Sequence, residues 1–162
     1  AAALRRLRRV LTPGALIGIA DADYGGSIAW PSTPGLRRAE RLALRIRRFS
    51  GGDVHVGRKL VAHLAEVGFV DIRGGATAFV ASPAEGQWQS AYFASPELQA
   101  HLIATGIASR AEATEASDAW ARWAASPGAY WARFWCHAIA TNPGGVETFP
   151  DDEARATSAA IQ

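Results

Sequence analysis

Thr12-Pro13-Gly14-Ala15-Leu16-Ile17-Gly18-Ile19-Ala20-Asp21 is the stretch on which the fold turns. Pro13-Gly14 stops a helix and reverses the chain. The six residues that follow are apolar without a break and are fenced by Gly14 and Asp21. A run this short between turn residues reads as a strand covered on both faces, the pattern of an α/β sheet.

Upstream, Leu4, Leu7, Val10 and Leu11 recur at helical spacing, and Arg5, Arg6, Arg8 and Arg9 fill a face expected to be solvated. This helix opens without a capping residue, and the chain contains no Met, so the sequence is expected to be the C-terminal part of a longer protein. The opening lacks the apolar core of a signal peptide. No apolar run approaches the roughly 18 residues of a membrane span.

Downstream, Asp21-Ala22-Asp23-Tyr24-Gly25-Gly26-Ser27 reads as a polar loop continuing to Pro34. Residues 35–49 carry an apolar stripe (Leu36, Ala39, Leu42, Ala43, Ile46, Phe49) opposite Arg37, Arg41, Arg45 and Arg48, which predicts an amphipathic helix with a solvated arginine face. A second helix is expected over 56–67, ending at Gly68. A strand follows over 69–80, with Gly74-Gly75 as a bulge. Ser82-Pro83-Ala84-Glu85, Ser95-Pro96-Glu97 and Ser109-Arg110-Ala111-Glu112 are three helix starts, so residues 83–125 are expected to be short helices. Residues 129–140 are aromatic-rich and bounded by Gly128 and Asn142-Pro143-Gly144; a central strand is preferred there to a buried helix. The Asp- and Ala-rich segment 150–162 is expected to fray.

Composition bounds the function. The chain has 162 residues, 49% apolar and 20% charged, enough for one domain with a core. Seventeen Lys and Arg against 15 Asp and Glu leave a net charge of +2, too little to make nucleic acid the expected partner. A single Cys excludes an internal disulfide and fits a reducing, cytoplasmic setting. His55, His63, His101 and His137 are scattered without metal-ligand spacing, so no metal is expected, and Cys136 is expected to be packed rather than reactive.

Leu7-Arg8-Arg9-Val10-Leu11-Thr12-Pro13-Gly14 resembles the helix and turn before the fifth strand of class I S-adenosylmethionine-dependent methyltransferases, with Ala15 where a second Gly is usual. Leu60-Val61-Ala62-His63-Leu64-Ala65-Glu66-Val67-Gly68-Phe69 resembles the helix and Gly-Phe turn before strand six. The stretch from Trp123 to Ala140 is similar to the C-terminus of the ubiquinone/menaquinone-type small-molecule branch. The resemblance covers residues 4–141. It implies the C-terminal half of a seven-stranded, mostly parallel Rossmann-like sheet. Residues 15–21, 69–80 and 129–140 would be strands five, six and seven, the last antiparallel between the other two. It also implies a division into core (1–82), a helical cap insertion (83–128), the last core strand (129–149) and a tail. The implied activity is methyl transfer from S-adenosylmethionine to an O, N or C nucleophile of a small molecule. No Gly-x-Gly-x-Gly occurs in the chain, so the cofactor site is expected upstream of Ala1.

Ligands of open α/β sheets sit beyond the carboxyl ends of strands. Asp21 and Asp23 end the apolar run, and Tyr24 and Trp30 are amphipathic rings able to flank a small organic molecule, so these four are the expected substrate-binding residues. Asp23 is the expected group for orienting or deprotonating the nucleophile; no other catalytic residue stands out. Trp88, Tyr92 and Phe93 are expected to pack inward, with a lid over substrate as the alternative. Two other functions remain open: a partner-binding α/β fragment without activity, and a hydrolase using Ser27 in a near-match to the nucleophile elbow, with Asp71 or Asp118 and His137.

Overall fold

A computed structural model describes residues 2–144; the expected fraying of 150–162 lies outside them. The elements in chain order are α1 (Ala2–Val10), β1 (Leu16–Trp30), α2 (Pro34–Phe49), α3 (Val56–Glu66), β2 (Val70–Ala81), α4 (Pro83–Ala94), α5 (Pro96–Ala104), α6 (Arg110–Ala124) and β3 (Tyr130–Thr141). The strands form one three-stranded antiparallel sheet in the order β1-β3-β2. The last strand is therefore the central one, and 129–140 is a strand rather than a helix. β3 lies antiparallel between β1 and β2, the arrangement expected for these three segments, but the mostly parallel seven-stranded sheet implied by the resemblance is not present among the described residues. No described helix is long and apolar enough to cross a membrane.

β1 departs most from expectation. It runs for 15 residues, through the whole segment read as a loop from Asp21 and up to Trp30. Its apolar run is covered on one face only. Ile17 is buried, while Leu16 is 71% exposed and Gly18 and Ala20 are exposed. No described element lies over that second face.

The described residues divide into two compact units: 2–18, 61–73 and 139–144 in the first, 19–60 and 74–138 in the second. In the first unit Ile17, Leu64, Val67 and Phe69 are buried. Gly68, at φ +83°, closes α3, with its N–H donating to the carbonyl of Ala65 and that of Phe69 to Leu64. Asn142 is buried and donates Nδ2–H to the carbonyls of Leu11 at 2.8 Å and Arg8 at 3.1 Å, so a side chain after β3 satisfies the last carbonyls of α1. Arg8 is itself buried, not on a solvated face, and its guanidinium lies where a side chain at Gly68 would stand.

The second unit holds the main core. Leu36, Ala39 and Leu42 of α2 bury their stripe with Ala113, Ala116, Trp120 and Trp123 of α6. Phe93 of α4 and Leu102 of α5 complete it. Helix ends follow the serine signals unevenly. Ser109 forms a full capping box with Glu112, and Ser95 Oγ accepts from the N–H of Leu98, but Ser82 makes no side-chain cap bond. The caps of Ser109 hold the Glu112 carboxyl down at about 2, through the Ser109 backbone N–H first and Arg45 next.

Candidate functional site

Along α2, Leu36, Glu40, Ala43 and Arg47 fall at i, i+4, i+7 and i+11, one row down the helix. Thr33 starts that helix, its Oγ1 accepting from the N–H of Leu36 at 3.1 Å. Leu36 anchors the row in the core, and Glu40, Ala43 and Arg47 line a cavity of about 670 Å³ inside the second unit. That volume suits a small organic molecule.

Five rings line the cavity: Tyr24 of β1, Trp88 and Tyr92 of α4, Trp120 of α6 and Trp131 of β3. Trp88 and Tyr92 stack at 5.6 Å and 7°, and Trp120 meets Trp131 edge-on at 6.0 Å. Phe93 of the same helix is fully buried, but Trp88 is 58% exposed. The inward packing expected for all three aromatics therefore holds for Phe93 alone. α4 turns one side to the core and presents Trp88 and Tyr92 to the cavity.

Charged residues occupy defined places among the rings. Glu40 Oε1 accepts from Trp131 Nε1–H at 2.8 Å. Burial raises the Glu40 carboxyl above its ordinary 4.5, only partly offset by that hydrogen bond and by Arg133, Arg37 and Arg41. Arg47 and Arg133 both lie on Tyr24, with Cζ 3.5 Å and 4.4 Å from the ring centroid, and Arg133 is also 4.6 Å from the Trp131 centroid. Burial is the first cause that lowers the Arg133 guanidinium from its usual value, with Arg47 adding to it and Tyr24 and Glu85 offsetting part of it. Asp53 is engaged by Lys59 Nζ at 2.7 Å and by the His55 N–H at 2.9 Å.

The four substrate residues expected from the sequence separate. Asp21 and Tyr24 line the cavity, and Asp21 also accepts from its neighbour's N–H at 2.7 Å. Asp23 is not among the lining residues. It is 6% exposed, with Oδ2 receiving Arg58 Nε–H at 2.7 Å and Oδ1 3.5 Å from His55 Nδ1. Burial alone pushes the Asp23 carboxyl up, but the bond and charge of Arg58, joined by His55, leave it below its ordinary 3.8. Trp30 stands exposed outside the lining, its carbonyl accepting from Trp123 Nε1–H at 3.0 Å. Adjacent Ala22 and Asp23 are both buried, and the lining positions Asp21, Tyr24 and Ser27 are three apart. The simple alternation of a strand is broken here, which sends Asp23 and Tyr24 to different surroundings.

The glycines that resemble a loop have a packing reason. A Cβ at Gly25 would fall 1.9 Å from the His55 ring, and one at Gly57 would meet backbone atoms of residues 21–23 at 2.9 to 3.0 Å. Turn 53–57 can lie against β1 only because both positions lack side chains. His137 similarly lies over Gly75, which stands within a continuous β2. Ser27 lines the cavity from inside β1, not from a strand-to-helix turn, so no nucleophile elbow is formed.

Glu40, Arg47, Trp120, Trp131 and Arg133 were not among the expected site residues. The visible signal for the first two is the row on α2, where two charges interrupt apolar positions. For Arg133 it is a cation set among aromatics in a central strand. No family model matches the chain, and no curated protein matches it.

Proposed function

We propose that this chain supplies the substrate-side half of an S-adenosylmethionine-dependent methyltransferase acting on a small molecule, and that the cavity of the second unit holds the methyl acceptor. The observation that carries the reading is the cavity itself: about 670 Å³, walled by five aromatic rings and furnished with a few placed charges. The motif resemblance over residues 4–141 names the chemistry.

The residues present do not fit the cofactor. Nucleotide-type ligands are held by free backbone N–H groups at a glycine-rich turn into a helix. After β1, the entry to α2 offers Pro34, which has no N–H, and Leu36, whose N–H is already taken by Thr33. The proposal places the cofactor on residues outside these 162, and no step is derived through it.

What this chain's own residues contribute is binding, exclusion of water and a proton acceptor. The rings enclose the acceptor. Glu40, fixed by Trp131, is the carboxylate whose raised value suits taking a proton from a hydroxyl or amine brought against it. This role passes from Asp23, which is committed to Arg58, to Glu40.

Two measurements test the reading. Titrated calorimetrically with S-adenosylmethionine, the 162 residues show no saturable heat. In the product of the whole reading frame, methyl-labelled cofactor delivers label to a small molecule, and E40Q lowers turnover by about tenfold or more with cofactor affinity nearly unchanged. Saturable cofactor binding by the 162 residues, or unchanged turnover in E40Q, overturns it.

A further inference from the structure

Five charged residues line the cavity, and the three acids each hold a hydrogen-bond or ion-pair partner. Asp21 holds the Ala22 N–H, Asp53 holds Lys59, and Glu40 holds Trp131. Arg47 and Arg133 are different: Arg133 donates to Tyr24 and feels Glu40 and Glu85 at longer range, but neither guanidinium has a carboxylate at contact. They share the ring of Tyr24, and among the described residues no carboxylate lies within ion-pair distance of either. Two guanidiniums gathered on one ring repel each other, and part-buried Arg133 has given up water as well.

Two residues of the lining also carry buried unmet groups, and these are of one kind. Arg133 Nε is buried without a partner, and so is Trp120 Nε1 on a side chain only 4% exposed. Both atoms are donors and neither can accept. Trp120 meets Trp131 at 6.0 Å, and Trp131 lies under Arg133, so the two donors belong to one neighbourhood.

Resting on the reading of the cavity as the acceptor pocket, we infer that its ligand is a planar organic anion: an aromatic carboxylate with its acidic group at Arg47 and Arg133 and its ring among Trp88, Tyr92, Trp120 and Trp131. A carboxylate neutralises the guanidinium pair, and the fork of an arginine matches its geometry. A cationic ligand is disfavoured by the same arrangement, because the faces of Tyr24 and Trp131 that would cradle it already carry guanidinium groups. A neutral ring would fill the rings' share of the cavity and leave the charges as they are.

The test is calorimetry on the 162-residue protein with a matched pair, 2-naphthoate and 2-naphthamide, which differ in charge and hardly in shape. The expected result is saturable binding of the acid, with the amide weaker by about tenfold or more. R47Q, at an exposed position, weakens the acid by a similar factor and leaves the amide unchanged. R133Q does the same where it folds. R38Q, whose arginine pairs with Glu115 away from the cavity, changes neither ligand. Equal binding of acid and amide, or an R47Q that binds the acid normally, overturns the inference and leaves the acceptor pocket standing. Binding of neither removes the pocket and the inference together. Charge-selective binding without label transfer by the full reading-frame product upholds the inference and overturns the methyltransferase reading.

Discussion

Helix α6 and strand β1 are of equal length, 15 residues each, and are held by opposite means. α6 is specified from within. Ser109 and Glu112 satisfy its first turn reciprocally, and Ala113, Ala116, Trp120 and Trp123 fall on one face by helical period. β1 is specified from outside. Its middle is shaped by His55, Gly57 and Arg58, more than 25 residues later in the chain, which require bare backbone at Gly25 and an anion at Asp23. An element built on local bonds loses them one at a time. An element built on close approach has no such margin, because two backbones in contact cannot both stay where they are.

The largest expected effect breaks this contrast at the close approach. Gly57→Val places a side chain against the carbonyl of Asp21 and the backbone of residues 22 and 23, none of which can rotate aside. The expected loss is about 1–3 kcal/mol, read as a lowered urea midpoint. A midpoint at or above that of the parent would show that the turn is free to move off β1.

The caps come next and sharpen the contrast within the helices. Ser109→Ala removes a capping box and should cost about 1 kcal/mol. Ser82→Ala, at a start whose hydroxyl makes no cap bond, should fall within a few tenths of a kcal/mol of the parent. Equal losses from the two in the same denaturation series would contradict the capping geometry.

The smallest effects are in the pH dependence, where two carboxylates of the second unit pull in opposite directions. Asp23 is lowered in the fold, so its contribution is complete above the ordinary 3.8 and is lost as pH falls below it. Glu40 is raised, so the folded state holds its proton longer, and stability declines as pH rises from 4.5 to its folded value. D23N should flatten the acid limb of the stability profile, while E40Q should flatten the decline on the other side. A profile with the same slopes in both variants would remove the distinction between the tethered carboxylate and the one facing the cavity.

The same contrast explains what could be read in advance. α2 and α3 begin and end within a residue or two of their expected bounds, because periodicity, Pro34 and Gly68 are local signals. The central place of β3 follows from apolar residues on both of its alternating sets. β1 beyond Asp21 was misread, since Gly25-Gly26 beside two aspartates looks like a turn unless the residues that occupy the vacated space are known. The cavity was half legible. Asp21, singled out by its place at the end of the apolar run, and Tyr24, by its amphipathic ring, line the cavity, but Asp23 is carried out of it by an ion pair with a residue 35 positions away. Glu40 and Arg47 lay on a helix read only as apolar against basic.

Asn142 sets a rule for the order in which the chain becomes complete. The carbonyls it satisfies on Arg8 and Leu11 are 134 and 131 residues behind it. A helix as short as α1 is marginal by itself in water, so its last turn waits on the arrival of nearly the entire described chain. Closing so large a loop is slow in conformational search. During synthesis residues 2–10 therefore emerge well before Asn142, and the final turn of α1 is among the last of the described structure to be sealed.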